Sequence, residues 1–364
     1  GGRVLMYVPP HSSTITVGPA IFGGEAGSGG FEEVAAGLLA EAKKKRAIAA
    51  LPEGPSSKRW GEPIVTKGSR GDDDGPFAVD TITIPFENPF GSRMRTGAFD
   101  FFSDGRAAVS TWNGDVWLVS GIDEGLDSVT WQRFATGLFD PLGVRVVDDV
   151  LYVHGRDGLT RLIDSNGDGE ADHYENFNNQ VYITPAFHEF AFDLQTDSEG
   201  NFYFSKGAPV NPGGRGFMKI VPHHGTIMKV SKDGQTIEAV ATGMRAPNGI
   251  GIGPNGEITT GDNQGTWMPT SQFSEVIPGR FYGHYNRTNI VPNLAERFPE
   301  GGHPSVFAER ERTAPALYLP QNEVNNSPTE SVRLWDDPFE GQMLLGELTA
   351  HDSGVIDNQY TGRA

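Results

Sequence analysis

The chain has 364 residues, among them 48 glycines and 25 prolines, which is too many for a helical bundle and typical of a fold rich in tight turns. Its 47 acidic and 29 basic side chains give a formal net charge of -18, which disfavours nucleic acid and anionic membranes as partners. The absence of cysteine excludes disulfides, thiolate metal sites and a covalently attached c-type haem within this chain.

Residues 1–74 are predicted to form an N-terminal segment and a linker. The only helical pattern lies at residues 31–51, which are rich in Ala, Leu, Glu and Lys and are followed by the helix breaker Pro52. The chain begins at Gly1 without a methionine or a signal peptide, which indicates a processed product or a piece of a larger protein. No run of about 18 apolar residues predicts a membrane span.

Residues 75–364 show short β-rich runs separated by turns. The strongest turn signals recur at intervals of 44 to 56 residues, at Asp104-Gly105, Asp148-Asp149, Glu199-Gly200 and Asn255-Gly256. A second turn follows nine residues later in two of these units, at Asn113-Gly114 and Asp157-Gly158. A unit of this length with about four strands is typical of a β-propeller blade, so the pattern predicts an all-β propeller over residues 75–364.

A second repeat points to one end of that propeller. Residues 135–143 and 241–249 share Ala, Thr, Gly, Pro and Gly at matching positions, but the middle position differs. Counting back 10 to 12 residues from each first turn gives four equivalent side chains, namely Arg95, Phe139, His188 and Arg245. The starts of innermost strands gather around one end of a propeller channel, so these side chains are expected to share a pocket. Two arginines and a histidine there imply an anionic or hydrogen-bonding ligand, or ordered water.

Residues 164–175 match a twelve-position calcium loop. Oxygen-bearing side chains occupy positions 1, 3, 5, 9 and 12, and Gly169 lies at the sharp turn; the five candidate ligands are Asp164, Asn166, Asp168, Asp172 and Glu175. The flanking residues have strand patterns, so the expected site is a calcium loop on a blade. The alternative is an acidic turn without metal.

Three other features leave alternatives open. His188 is either a structural histidine or a general base beside the channel. The pair His223-His224 lacks a carboxylate at metal-ligand spacing and is interpreted as part of a solvated loop. Four residues of a loop-like segment either stack on a sugar or flat cofactor or form a hydrophobic plug between blades; they are Trp267, Phe281, Tyr282 and His284. No nucleophile elbow, P-loop or dinucleotide fingerprint is present, which argues against a serine hydrolase, an NTPase and a nicotinamide enzyme.

From about Trp60 to the end, the chain resembles the soluble glucose/sorbosone dehydrogenases. The motifs that carry the resemblance are Phe187-His188-Glu189, Leu194 with residues 198–203, residues 225–230 with Asp233-Gly234, residues 243–249 and residues 278–283. The resemblance is nearest to a branch found in large exported multidomain proteins that often carry a cytochrome c module. It implies a six-bladed propeller that uses pyrroloquinoline quinone and calcium, here with about five blades represented and the last incomplete, and a periplasmic or extracellular location.

The resemblance also implies residue roles. His188 matches the proton-abstracting histidine of the family and Arg245 its quinone-contacting arginine, and the further candidates for cofactor binding are Asn248, Arg95 and Trp267. Two motifs depart from the family. Residues 245–249 read Arg-Ala-Pro-Asn-Gly where the family usually has Arg-Asn-Pro-Gln-Gly, and Gln264-Gly265 replaces its Gly-Pro calcium turn. The family's further basic contacts come from its last blade, before which this chain is expected to end.

The sequence therefore favours a quinoprotein-type dehydrogenase that oxidises a sugar, a polyol or a derived aldehyde. The expected partners are a small carbohydrate or alcohol substrate and an external electron acceptor such as a cytochrome c module. One alternative is a non-catalytic propeller module that binds a glycan or a neighbouring domain. Another is a lyase or hydrolase that uses His188 with a carboxylate such as Glu189.

Overall fold

A computed structural model of the chain describes residues 55, 57–73, 75, 78–211, 218–265, 268, 270–284, 312–321, 323–335, 338–347 and 359–363. The chain divides into two compact units, Gly1–Ser56 and Ser57–Ala364, and the strands below belong to the second. The helix predicted over residues 31–51 lies outside the described residues.

The described residues form antiparallel sheets. The first sheet comprises β1 (Ile64–Thr66), β2 (Thr96–Phe101), β3 (Ala107–Thr111), β4 (Val116–Ser120) and β5 (Val129–Ala135). The second comprises β6 (Gly143–Val147), β7 (Val150–Gly155), β8 (Gly158–Ile163) and β9 (His173–Asn178), and the third β10 (Ala191–Thr196), β11 (Phe202–Lys206), β12 (Thr226–Val230) and β13 (Ile237–Thr242). The fourth comprises β14 (Pro247–Ile252), β15 (Ile258–Asp262), β16 (Thr270–Glu275) and β17 (Leu317–Pro320), and the fifth β18 (Pro328–Arg333), β19 (Met343–Glu347) and β20 (Gln359–Arg363).

These sheets have the arrangement of propeller blades. From β2 onward the strands of each sheet follow one another in chain order, and the first strand of each sheet contacts the first strand of the next. Each of the four predicted first turns joins the first two strands of its sheet, and a residue at each turn has positive φ: Gly105, Asp149, Gly200 and Gly256. The prediction of an all-β propeller is thus confirmed, with four sheets of at least four strands and a three-stranded sheet in the described part. Among the same residues, no helix has the length and apolar character needed to cross a membrane.

The first sheet includes a strand from the predicted linker. Ile64 of β1 pairs with Trp131 of β5, although residues 1–74 were expected to precede the propeller. Ile64 also packs, with Ile82 and Ile84, against a buried cluster around Trp117. Burial of this face removes apolar surface from water, which explains why the segment joins the sheet.

The main cores lie between neighbouring sheets. Leu118 and Phe134 of the first sheet pack with Val144 and Leu151 of the second. The same alternation of inward-facing side chains builds a core between the second and third sheets and another between the third and fourth. Each blade is therefore stabilised mainly by its neighbours.

The repeated segments, residues 135–143 and 241–249, make the same hydrogen bond to a strand of the preceding sheet. The Ser110 hydroxyl donates to the Pro141 carbonyl at 2.9 Å, and the Ser205 hydroxyl donates to the Pro247 carbonyl at 3.1 Å. The glycine that follows the proline lets the neighbouring backbone approach closely: a Cβ on Gly143 would lie 2.4 Å from the Asp193 carbonyl oxygen. The shared Pro and Gly positions of the repeat thus serve packing, and the variable position two residues before the proline is free to carry other chemistry.

Candidate functional site

The four equivalent positions of the repeat lie where innermost strands begin. Arg95 directly precedes β2, and Phe139, His188 and Arg245 shortly precede β6, β10 and β14. Since these first strands contact one another in order, the four residues lie at the same end of the channel. We call the side chains that lie at this end of the channel, with Arg95, His188 and Arg245 among them, the channel mouth.

Aromatic rings connect Arg95 with His188. The Arg95 guanidinium carbon lies 5.9 Å from the centroid of the Trp112 ring. Trp112 packs edge-on against Phe190 at a centroid distance of 5.4 Å, and Phe190 lies 5.5 Å from the His188 ring. Two aromatic side chains, Trp112 and Phe190, thus lie between Arg95 and His188, and the predicted proximity of the two residues stays a prediction.

His188 is half-buried, and its surroundings favour the neutral form of the imidazole. Burial lowers its pKa, and the positive charge of Arg245 lowers the pKa further. Its Nδ1 atom is buried and has no hydrogen-bond partner among the described residues. A neutral imidazole with a free nitrogen is the form that a general base requires.

Arg245 is buried and is held beside a carboxylate and a second histidine. The backbone amides of Arg245 and Ala246 donate to Asp262 at 2.9 and 2.7 Å. His284 Nε2 lies 3.7 Å from Asp262 Oδ2, and burial lowers the His284 pKa. A Cβ on Gly265 would lie 2.2 Å from His284 Cε1 and 3.0 Å from Arg245 Cδ, so only glycine fits there. Burial also lowers the Arg245 pKa, which the Asp262 charge opposes.

The charged neighbours of Phe139 are Arg156 and Asp140. The Arg156 guanidinium carbon lies 5.6 Å from the centroid of the Phe139 ring, and Arg156 Nη1 lies 3.6 Å from Asp140 Oδ2. The other oxygen of Asp140 accepts a hydrogen bond from Trp112 Nε1 at 3.0 Å. Asp140 thus links the Phe139 position to the aromatic bridge between Arg95 and His188.

A buried polar cluster lies next to His188. Lys206 Nζ is 2.7 Å from Glu189 Oε1, and His224 Nε2 is 3.0 Å from Glu189 Oε2; all three side chains are fully buried. Burial would raise the Glu189 pKa, but the contacts with His224, Lys206 and Thr184 outweigh it and hold the pKa at about 2. The interpretation of His223-His224 as a solvated loop is therefore wrong for His224.

Several charged residues of the channel mouth were not predicted from the sequence, although their positions at the ends of second strands could have identified them. Lys206 and Asp262 are the last residues of β11 and β15, and Arg156 directly follows β7. The second strand of each blade runs antiparallel to the first, so its end lies beside the start of the first strand. A charged residue that ends the second strand of a blade is thus expected at the same end of the channel.

The remaining candidates of this region have separate positions. Asn248 is half-buried in β14, and Trp267 lies outside the described residues. Tyr282 is buried against Ile250 and Met244, and its hydroxyl donates to the Glu275 carbonyl. For Tyr282 the packing alternative therefore holds.

The predicted calcium loop closes on itself between β8 and β9. The two Asp164 oxygens accept hydrogen bonds from the amides of Gly167 and Gly169 at 2.7 and 2.9 Å, and Asp172 Oδ2 accepts one from the Ser165 amide at 2.9 Å. Asn166 Nδ2 donates to Asp168 Oδ2 at 3.1 Å. We call residues 164–172 the acidic loop.

Glu175 is not gathered with the other four predicted ligands. It lies within β9 and forms an ion pair with Arg161 of β8. Among the described residues, no group of three or more His, Asp or Glu side chains is arranged to hold a metal ion. The calcium site therefore stays a prediction, supported by the oxygen donors of the acidic loop.

No family model and no curated protein matches the chain. Solved structures do match, and three of them are sugar dehydrogenases by name. The holo form of the pyranose dehydrogenase PQQ domain from Coprinopsis cinerea is 10% identical, with a TM-score of 0.53 over 70% of this chain and 71% of that one. The soluble aldose sugar dehydrogenase from Escherichia coli, in its apo form, is 12% identical, with a TM-score of 0.51 over 70% and 80% of the two chains.

A third similar structure is the PQQ-bound form of aldose sugar dehydrogenase from Streptomyces coelicolor. It is 11% identical, with a TM-score of 0.51 over 81% of this chain and 80% of that one. At these identities the likeness establishes the fold. The chain has the propeller fold of the soluble PQQ-type sugar dehydrogenases, in agreement with the resemblance of its motifs.

Proposed function

We propose that this protein is a quinoprotein-type dehydrogenase that oxidises a sugar, a polyol or a derived aldehyde and passes the electrons to an external haem or dye acceptor. The observation that carries the proposal is the Nδ1 of half-buried His188, which has no hydrogen-bond partner in the described part of the chain and lies in the electrostatic field of the buried Arg245 cation. Fold alone does not imply function, so the proposal depends on this site.

The proposed chemistry needs a base and a cation close together. His188 takes the proton of the substrate hydroxyl on a ring nitrogen as hydride leaves the adjacent carbon. Pyrroloquinoline quinone, when bound, supplies the two-electron acceptor for that hydride. The Arg245 guanidinium stabilises the negative charge that develops beside it, and its burial strengthens this electrostatic effect.

The side chains of the channel mouth fit an anionic, planar group. Arg245 supplies a buried cation and Arg95 an exposed one, and Trp112 and Phe190 present aromatic surface between Arg95 and His188. Asn248 and Trp267 are proposed as further contacts because of the sequence resemblance. The carboxylates of the quinone cofactor are expected to pair with the two arginines.

Calcium is proposed as a second component. The acidic loop offers carboxylate and amide oxygens, which are the donors that calcium prefers. Asp164, Asn166, Asp168 and Asp172 share this loop, whereas Glu175 would have to leave Arg161 in order to join them. The proposed location, periplasmic or extracellular, and a cytochrome c module as the natural electron acceptor rest on the sequence resemblance.

One alternative function has an observation in its favour. Three aromatic side chains at the channel mouth are exposed, with Trp112 at 37%, Phe139 at 45% and Phe187 at 55% of their full accessible surface. Exposed aromatic surface suits a module that binds a glycan or a neighbouring domain without catalysis. A lyase or hydrolase using Glu189 is disfavoured, because that carboxylate is fully buried and already paired with Lys206.

The decisive experiment is reconstitution of the apo-protein with quinone and calcium. We expect a quinone absorption band that remains with the protein through gel filtration, and dye-linked oxidation of aldoses or polyols that requires both additions. Reconstitution with quinone alone measures the calcium requirement. Glycan binding without retained quinone and without turnover would overturn the proposal in favour of the binding module.

A further inference from the structure

Glu189 joins the segment that carries His188 to two neighbouring strands. Its carboxylate accepts a hydrogen bond from the Thr184 amide at 2.9 Å and another from the Thr184 hydroxyl. It meets Lys206 at the end of β11 and His224 just before β12. One buried carboxylate therefore binds the start of the turn at residues 184–188 to the body of the third sheet.

The histidine of this cluster packs against Glu189 through Nε2, 3.0 Å from Oε2. The Val221 amide donates to His224 Nδ1 at 3.1 Å, so the proton of a neutral His224 ring lies on Nε2, 3.0 Å from Glu189 Oε2. The ammonium of Lys206 faces the other oxygen. Lys206 compensates one oxygen of the buried carboxylate, and the Thr184 amide and hydroxyl compensate the other, which is the condition under which such a group is stable.

Arg156 of the second sheet fixes the same turn from the other side. Its Nη2 donates to the Thr184 carbonyl at 3.1 Å and to the Ala186 carbonyl, and it lies 4.0 Å from Glu189 Oε2. The Glu189 amide donates to the Ala186 carbonyl at 3.4 Å, which closes the turn. His188 is the residue immediately before Glu189, so the position of its imidazole depends on this anchoring.

We propose that Glu189, held by Lys206 and His224, is a positioning residue that fixes the turn at residues 184–188 and thereby the imidazole of His188. Its role as an anchor concerns the apo-protein, whereas its catalytic consequence rests on the proposed dehydrogenase function. A displacement of a reacting group by about 1 Å can cost about 10²-fold in rate, so such anchoring is significant for a general base.

The test is the titration of His188 by NMR in the apo-protein of the Glu189→Gln variant. Burial is the main cause of the low His188 pKa, and Arg245 is the charged group that lowers it further. Release of the turn exposes the ring, so we expect the pKa of His188 to rise towards its ordinary value. Loss of a nearby negative charge by itself would lower that pKa, so the direction of the change separates positioning from simple electrostatics.

Two further variants complete the test. Glu189→Gln/Lys206→Met removes both charges, avoids an uncompensated buried ammonium, and is expected to raise the His188 pKa as well. Asp115→Asn is the matched control, because Asp115 is also buried and pairs with Arg133 at 2.7 Å, without a contact to the turn at residues 184–188. The control is expected to leave the His188 pKa unchanged.

In reconstituted enzyme, we expect Glu189→Gln to lower kcat about 10²-fold while KM changes less than about threefold. An unchanged His188 pKa in either folded Glu189 variant would overturn the inference. If the wild-type protein neither binds quinone nor turns over, the proposed function fails, but the NMR titration still decides whether Glu189 positions His188.

Discussion

The channel mouth and the acidic loop are both predicted ligand sites, yet they are built in opposite ways. The channel mouth collects His188 and Arg245 from separate blades, and the buried Nδ1 of His188 has no partner among the described residues. The acidic loop is one continuous segment, and Asp164 and Asp172 already accept hydrogen bonds from its own amides. A buried nitrogen without a hydrogen-bond partner indicates a ligand-binding site more strongly than a loop whose polar groups are hydrogen-bonded to one another.

This difference also sets the expected size of each effect. The channel mouth contains the groups proposed to take part in the chemical step, so changes there should alter rates by orders of magnitude. Calcium bound by the acidic loop would stabilise only the folded state, so changes there should shift Tm by a few degrees.

The largest expected effect comes from His188→Ala. We expect kcat of the reconstituted enzyme to fall about 10²- to 10⁴-fold with quinone affinity nearly unchanged, because a general base contributes about that factor. Stopped-flow reduction of bound quinone by an aldose measures the step directly. His173→Ala is the matched control, since His173 is an exposed histidine of the outer strand β9. Wild-type turnover by the His188→Ala enzyme would show that the base lies elsewhere.

The second-largest expected effect is the loss of quinone affinity in Arg245→Ala. We expect quinone affinity to fall about 10- to 100-fold, because a hydrogen bond to a charged group contributes about 1.5 to 3 kcal/mol. Fluorescence titration of apo-protein with quinone measures the affinity. Arg106→Ala serves as the control, since Arg106 is a partly exposed arginine paired with Asp104 at the first turn of its blade.

The same Arg245→Ala variant has a consequence for pH dependence. The Arg245 cation opposes protonation of His188, so its removal should raise the His188 pKa towards 6.5. The acidic limb of the kcat/KM profile depends on neutral His188 and should therefore move to higher pH. An unmoved limb together with an unmoved NMR titration of His188 would contradict the proximity of the two groups.

Much of the fold was predictable, because turn residues have local causes. Gly105, Gly200 and Gly256 occupy positive-φ positions at the first turns, and Asp148 and Asp149 both have positive φ at the second blade's turn. β1 was missed because Ile64 to Thr66 carry too short a pattern, and the strand is stabilised by tertiary contacts with β5. A three-residue strand has no periodicity from which it can be recognised.

The channel mouth was predictable only in part. The repeat identified Arg95, His188 and Arg245, because equivalent positions of a propeller converge on one axis. Glu189 and Lys206 are 17 residues apart in sequence, and their pairing depends on the register between β10 and β11. For the acidic loop, the motif was evident from the sequence. The pairing of Glu175 with Arg161 was not, because it depends on the register between β8 and β9.

The smallest expected effect is on the calcium-dependent stability that the acidic loop is proposed to provide. Calcium at about 100 times its dissociation constant should stabilise the wild-type protein by about 2.7 kcal/mol, which corresponds to a rise in Tm of several degrees. Asp168→Ala removes a loop oxygen and should abolish that rise. Glu175→Gln should retain it, because Glu175 pairs with Arg161 on the neighbouring strand. Differential scanning calorimetry with calcium and with chelator measures both variants. A Tm that is the same in both conditions for the wild-type protein would identify the acidic loop as a self-satisfied turn and leave the channel mouth as the ligand site.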